Sequence, residues 1–423
     1  MSVVRDPASL DLSEFLRPGD QVVIGQACGE PPTLVEALLE QAADIGDLTA
    51  FIATSFSGAF TPDAAAGVRV RSMGAIGTLR SLAAAHALEV ISCHVGRVGP
   101  MIESGALRCD CAFVQVAPAD RDGAHSLGLI SDHVLEAVCA ARVVVAEIND
   151  QVPRTRGATI AHEQIDYAVE VSRPPVTVAP ARIGPVDEAI AAHAAAYIGD
   201  GAVLQVGVGA VPEALLRMLG DRKDLGVHSG MVGDGLVDLV EAGAVTNARK
   251  KIDTGISVTG ALIGSRRLYD FADDNPALRM FPATYTHDPA VLAQLDDLVT
   301  INSAVQVDLT GQVNAEQHGS SYLGGTGGQV DFVRGGTRSR GGHAIIGLPA
   351  TAKGGSVSRI SAALAGPVTT ARSEVDIVVT EFGAAELSGC TLGERARRLT
   401  AIAHPDFRAD LEQAAAEIMK RGF

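Results

Sequence analysis

Two Gly-rich turns carry the residues with the clearest chemical potential. Gly25 to Pro32 reads GQACGEPP, and Gln205 to Pro212 reads QVGVGAVP. In both, an apolar run meets a Gly-rich turn and a Pro opens an amphipathic stretch, which predicts strand, loop and helix N-terminus in that order. Backbone amides at such a junction point at one place and stabilise negative charge developing on an oxygen. The first turn also holds a carboxylate, Glu30, read either as a reacting group or as a favourable charge at the helix start. Gln205 and Gly207 lie in the second. His228, in GVHSGMVGDG, is read as a general base or as a structural, orienting residue, and Glu316, in VNAEQHG, follows a strand as a base, an orienting group or a residue of the surface or of the surrounding support. Cys28 and Cys390 are isolated thiols, for which inert packing is the more ordinary role.

A second chemical signal runs from Gly324 to Ile360, GGTGGQVDFVRGGTRSRGGHAIIGLPATAKGGSVSRI. Gly pairs alternate there with Arg334, Arg338, Arg340, Lys353 and Arg359. Such a segment lets backbone approach a ligand beside cations suited to phosphates, and an exposed basic loop has the same composition.

The elements that must position these residues are written twice. Shifting the chain by 180 positions lays Gly19, Asp20, Val23, Gly29, Pro32 and Leu39 on Gly199, Asp200, Val203, Gly209, Pro212 and Leu219 without a gap. Further strands are expected at AFVQVAP from Ala112, RVVVAEIN from Arg142, LVTINSAVQVDL from Leu298, HAIIGLP from His343 and VDIVVTEFG from Val375. Helical stretches such as ADLEQAAAEIMKR separate many of them, so the expected fold class is α/β with mainly parallel sheets, in two related domains spanning 1–185 and 186–423.

Composition narrows the function classes. The 423 residues are 47% hydrophobic and 20% charged, enough for well-buried cores. A net charge of −16 argues against a broad grip on nucleic acid or an anionic membrane, and 4% aromatic residues without Trp give no stacking platform. The six Cys show no metal-ligand spacing, and no apolar run has spanning length, so neither a metal nor a membrane is expected and the location reads as cytoplasmic.

The motifs GDxVVxGxxxxEP, VAPADRDGAHSLG, AEINDQVPRTRG, LVEAGAVTN, VTINSAVQVDLTGQVNAE, GTGGQVDFVRG and LPATAKGG cover nearly the whole chain, which resembles the acetyl-CoA hydrolase/transferase family of class I CoA-transferases, in its 4-hydroxybutyrate/acetate branch. The resemblance implies two CoA-transferase-type domains with a ligand cleft between them, a homodimer, and acyl-CoA plus a small carboxylate as substrates. It places Gln205 and Gly207 on the thioester site, with Glu30 and Glu316 in matching active-site segments. Coenzyme A is expected along Gly327, Gly328, Gln329, Arg334, Leu348, Ala350, Lys353 and Gly354.

In the family the segment around His228 reads HSE, and the Glu is the nucleophile that becomes a glutamyl-CoA thioester; here that position is Gly230. Gln26 stands where 4-hydroxybutyrate enzymes tend to have His, and Ser388-Gly389-Cys390 replaces a usual RGK. Three readings follow. The first is an acyl-CoA enzyme that passes the acyl group to water or another nucleophile, or cleaves a C–C bond beside the thioester. The others are CoA transfer through a substitute carboxylate, and a CoA-binding protein without turnover.

Overall fold

The computed structural model describes residues 3–421 and divides the chain into two units. The first takes the chain as far as Ala179 and adds Gly230–Asp234 and Ile256–Asp288; the second takes Pro180–Ser229, Gly235–Gly255 and the chain from Pro289 onward. The division is therefore not the linear one at 185/186, because two later segments return to the first unit.

The first unit is built on an eight-stranded sheet: β1 (Val3–Arg5), β2 (Gln21–Ile24), β3 (Leu48–Phe51), β4 (Val68–Ser72), β5 (Leu88–Val90), β6 (Cys111–Val116), β7 (Val143–Asn149) and β8 (Tyr167–Val171). Their order across the sheet is β1-β8-β7-β6-β2-β3-β4-β5, and every pair is parallel. The QVVI, CAFVQV and VVVAEIN strands are buried at every residue, as sheets covered on both faces require. The chain winds outward from β2 to β5, then restarts on the other side of β2 at β6. Loops leaving β2 and β6 thus diverge, and the crevice at such a switch point is where open α/β sheets bind ligands. Helix α1 (Pro32–Ile45) follows β2 with Pro in its first turn and ends at Gly46, whose φ of +83° suits a residue without a Cβ. Its Leu34, Val35, Leu38 and Ala42 pack on a core that includes Val22, Ile24 and Phe113. Helix α2 (Val134–Ala140) lies between β6 and β7 in sequence.

The second unit repeats the scheme with β9 (Val203–Val206), β10 (Gly226–Val227), β11 (Leu298–Ser303), β12 (His343–Gly347), β13 (Ile377–Thr380) and β14 (Gly383–Glu386), ordered β10-β9-β11-β12-β13-β14. Only the last pair is antiparallel. The switch point falls between β9 and β11, so both copies of the repeat place their Gly-rich turn at the equivalent position. Helix α3 (Ala210–Met218) begins two residues ahead of Pro212. Helix α4 (Gln329–Arg338) precedes β12, and α5 (Leu392–Ala401) and α6 (Pro405–Arg421) follow β14.

The two α/β domains with mainly parallel strands agree with the expectation from sequence. The run LVTINSAVQVDL is a correction: it is not one strand, since β11 stops at Ser303 and a separate strand Gln306–Asp308 pairs with Val313–Asn314 and Ile360–Ser361. The two pieces answer to different sheets. Among the described residues, no helix is long and apolar enough to cross a membrane.

Candidate active site

The turn after β2 is held by its neighbours on both sides. Gly25 N–H donates to Phe113 O at 2.8 Å and Ala27 N–H to Thr54 O at 2.8 Å, with Ala27 at a φ of +56°. A Cβ on Gly29 would run into the side chain of Ile130, so the turn closes only with glycine there. These constraints carry Glu30 into the interior.

Glu30 is fully buried, and its Oε1 accepts the Phe56 N–H at 3.1 Å. Burial pushes its pKa up to about 7, against the opposing pull of the Ser55 and Ser57 hydroxyls. Its Oε2 has no hydrogen-bond partner among the described residues. The carboxylate at the start of α1 belongs instead to Glu147 of β7, whose Oε2 accepts from the Thr33 and Leu34 amides at 2.7 and 3.4 Å. The helix-start reading of Glu30 thus passes to a residue 114 positions beyond Thr33. A relay fixes the turn from beneath: Gln115 Nε2 donates to the Glu30 carbonyl, and Gln115 Oε1 accepts from Asn149 Nδ2 at 3.1 Å.

Beside this turn lies a carboxylate that sequence reasoning did not single out. Asp132, ahead of α2, is 6% exposed, and its Oδ2 accepts a short hydrogen bond from Gln26 Nε2. Burial drives its pKa up to about 7, with Glu136 adding to the rise. Gly230 belongs to the same unit, and its carbonyl accepts the Gly260 N–H at 3.2 Å. A Cβ on Gly260 would stand 2.5 Å from Asp132 Oδ1 and 3.1 Å from Gly230 O, so both atoms border one point. The only sequence signal was the polar S-D-H step inside an otherwise apolar stretch.

Cys28, also in the turn, is fully buried; burial raises its pKa to about 11 despite the Tyr269 hydroxyl beside it, which leaves the thiol protonated and unreactive. Cys390 is half-buried and donates to Glu386 O at 3.5 Å.

In the second unit Gln205 is buried in β9 and its Oε1 accepts from Asn302 Nδ2 of β11 at 3.1 Å, across the switch point. A Cβ on Gly207 would meet nothing within 4 Å, so this turn opens onto space. His228 is fully buried at the end of β10, its N–H on Leu204 O at 3.0 Å, and Ser229 Oγ donates to Val206 O at 3.2 Å. Nearby Lys250 is buried, donates to Val227 O at 3.0 Å, and has its pKa lowered to about 8 by burial.

Glu316 is built as a tie. Its Oε2 accepts from the Tyr322 hydroxyl at 2.7 Å and its Oε1 from Thr369 Oγ1 at 2.8 Å, so both oxygens are engaged.

Of the residues expected along coenzyme A, Gly327 and Gly328 lead into α4, and Gln329 is buried at its first position with Nε2 unpaired among the described residues. Arg334 is held by Glu374 at 3.1 Å. Leu348 and Ala350 are fully buried, with Ala350 N–H on Glu381 Oε2 at 2.8 Å. Lys353, at a φ of +49°, and Gly354, at +67°, form the tip of a hairpin between Thr351–Ala352 and Val357–Ser358. That hairpin walls a cavity of about 300 Å³ lined by Lys353, Arg359, His318, Val305, Leu323 and Val357 among others. Arg359 is half-buried there and was missed as a site residue although the sequence placed it in the basic run. Two cations at an apolar cavity suit a ligand with both phosphate and hydrocarbon parts. Among the described residues, no group of three or more His, Cys, Asp or Glu could hold a metal ion.

Residues 9–180 match the acetyl-CoA hydrolase/transferase N-terminal domain, and residues 264–415 match the C-terminal domain of the same name. The 4-hydroxybutyrate coenzyme A transferase of Clostridium kluyveri is 40% identical over 396 residues, 92% of each chain. The solved structure of a 4-hydroxybutyrate CoA-transferase from Porphyromonas gingivalis is 35% identical, with a TM-score of 0.84 over 99% of this chain and 98% of that one. RipA from Yersinia pestis is 34% identical, with a TM-score of 0.91 over 98% and 97%. The chain belongs to the acetyl-CoA hydrolase/transferase family.

Proposed function

We propose that this protein consumes acyl-CoA thioesters without a glutamyl-CoA intermediate, delivering the acyl group to water or another small nucleophile. Gly230 carries the reading: it follows buried His228 and Ser229, where the family resemblance puts the attacking Glu, and it offers no side chain to a thioester. Binding residues remain on both counts. The Gly207 turn opens onto space for an oxyanion, and Lys353 and Arg359 line a cavity for the coenzyme. A route without covalent transfer needs only a held nucleophile and a polarised carbonyl.

Mass spectrometry of products from a panel of acyl-CoA thioesters, with and without acetate and in ¹⁸O-labelled water, tests this. Free CoA and a carboxylic acid carrying one ¹⁸O, formed without acetate, are the expected products. Turnover that strictly requires acetate, with a CoA thioester trapped on the protein, would favour a second reading that the unpaired buried Oε2 of Glu30 supports: transfer through a substitute carboxylate. No turnover with any thioester sinks both.

A further inference from the structure

We infer that Asp132 is the general base for this reaction and that Gln26 positions the water it activates, an assignment that rests on the acyl-to-water reading above. The two side chains form a closed pair. With Asp132 ionised, as a general base requires, the Gln26 amide N–H₂ donates to its Oδ2, and this leaves Gln26 Oε1 as an acceptor pointing elsewhere. Gln26 Oε1 and Asp132 Oδ1 are both buried, each in a residue 6% exposed, and neither has a hydrogen-bond donor among the described residues. Two such acceptors carry a desolvation cost that a donor must offset. On this assignment one water donates an O–H to each, which leaves its lone pairs free to attack.

The location selects water near the reacting carbon. Asp132 Oδ1 borders the same point as the carbonyl of Gly230, the residue lacking the family carboxylate, and only the missing Cβ of Gly260 leaves that oxygen room. In the step itself, the water oxygen bonds to the thioester carbonyl carbon while its proton passes to Asp132 Oδ1. Collapse of the tetrahedral intermediate breaks the C–S bond, and the departing thiolate takes the proton back from Asp132, giving acid and CoA thiol. The base is restored.

Groups acting on the Asp132 carboxyl are the Gln26 amide, Glu136 four residues on and its own backbone N–H, with Gly260 against its Oδ1; the neighbouring His133 turns to Phe51 and Ile24 and stays neutral. Glu136 and burial both hold the carboxyl near pH 7, so kcat should climb along a single ionisation there as Asp132 loses its proton.

Steady-state hydrolysis by the intact chain and two variants decides the matter. Asp132→Asn is expected to lower kcat by about 10²- to 10⁴-fold with KM for the acyl-CoA kept, and to abolish the ionisation near 7. Gln26→Ala is expected to lower kcat by about tenfold while keeping that ionisation, because the base remains. A folded Asp132→Asn enzyme with kcat within about twofold of the parent overturns the assignment and leaves the acyl-to-water reading standing. A parent chain that hydrolyses nothing overturns both. Should Asp132→Asn not fold, Gln26→Ala decides alone: unchanged kcat overturns the pair, and a loss at constant KM supports it.

Discussion

At the scale of single residues, the candidate carboxylates divide into those used up by structure and those that are not. Glu316 gives both oxygens to hydroxyl donors, whereas Glu30 and Asp132 each keep one oxygen buried and unpaired. Glu316→Ala is accordingly expected to cost about 1–3 kcal/mol in urea denaturation by stranding the Tyr322 and Thr369 hydroxyls, with kcat held; a large fall in kcat at unchanged stability would return Glu316 to the chemistry. Gly230→Glu is the complementary experiment. A carboxylate placed after Ser229 should bring acetate-dependent transfer and a CoA thioester trapped on the new side chain, detectable by intact-protein mass; no adduct and no transfer would mean that the position does not face the thioester.

At the scale of elements, the turn between β2 and α1 is the part that tolerates least. Its Gly29 has no space for a methyl group against Ile130, so Gly29→Ala should destabilise the fold by about 1–3 kcal/mol. A midpoint in chemical denaturation unchanged from the parent would show that Ile130 gives way freely. The turn itself was legible in the sequence, because an apolar run, a Gly-rich break and a Pro are local signals that the repeat printed twice. What supports the turn was not. Glu147 reaches Thr33 across 114 positions and Gln26 reaches Asp132 across 106, and no local pattern encodes a pairing set by the order of strands in a sheet. Polar residues inside fully buried strands, Gln115 in CAFVQV and Glu147 and Asn149 in VVVAEIN, were the trace that such partners existed. The split of LVTINSAVQVDL escaped for a related reason: its composition suits a strand throughout, and only the change of partner after Ser303 breaks it.

At the scale of the whole molecule, buried ionisable groups set opposing dependences on pH. Glu30, Asp132 and Glu147 have pKa values raised to about 7 by burial, so the stability they contribute is complete below their unfolded values near 4 and is lost as pH rises through 7. His133 and His287, lowered by burial to about 4 and about 3, act the other way, and their contribution is lost as pH falls below 6.5. Glu147→Gln should therefore gain on the parent in thermal midpoint between about pH 5 and pH 8, while keeping an acceptor for the α1 amides. A difference that stays constant across that range would mean that Glu147 ionises freely in the fold. The return of Gly230–Asp234 and Ile256–Asp288 to the first unit also sets a schedule for synthesis. A ribosome that has delivered only the first 179 residues has made a sheet but not the strands Ser257–Thr259 and Leu278–Met280, nor the glycine that borders Asp132. The nascent first half must therefore wait, with part of its interior unfilled, until Asp288 has emerged, and a gene cut at the junction of the two sequence repeats would leave the first half without two segments that the second encodes.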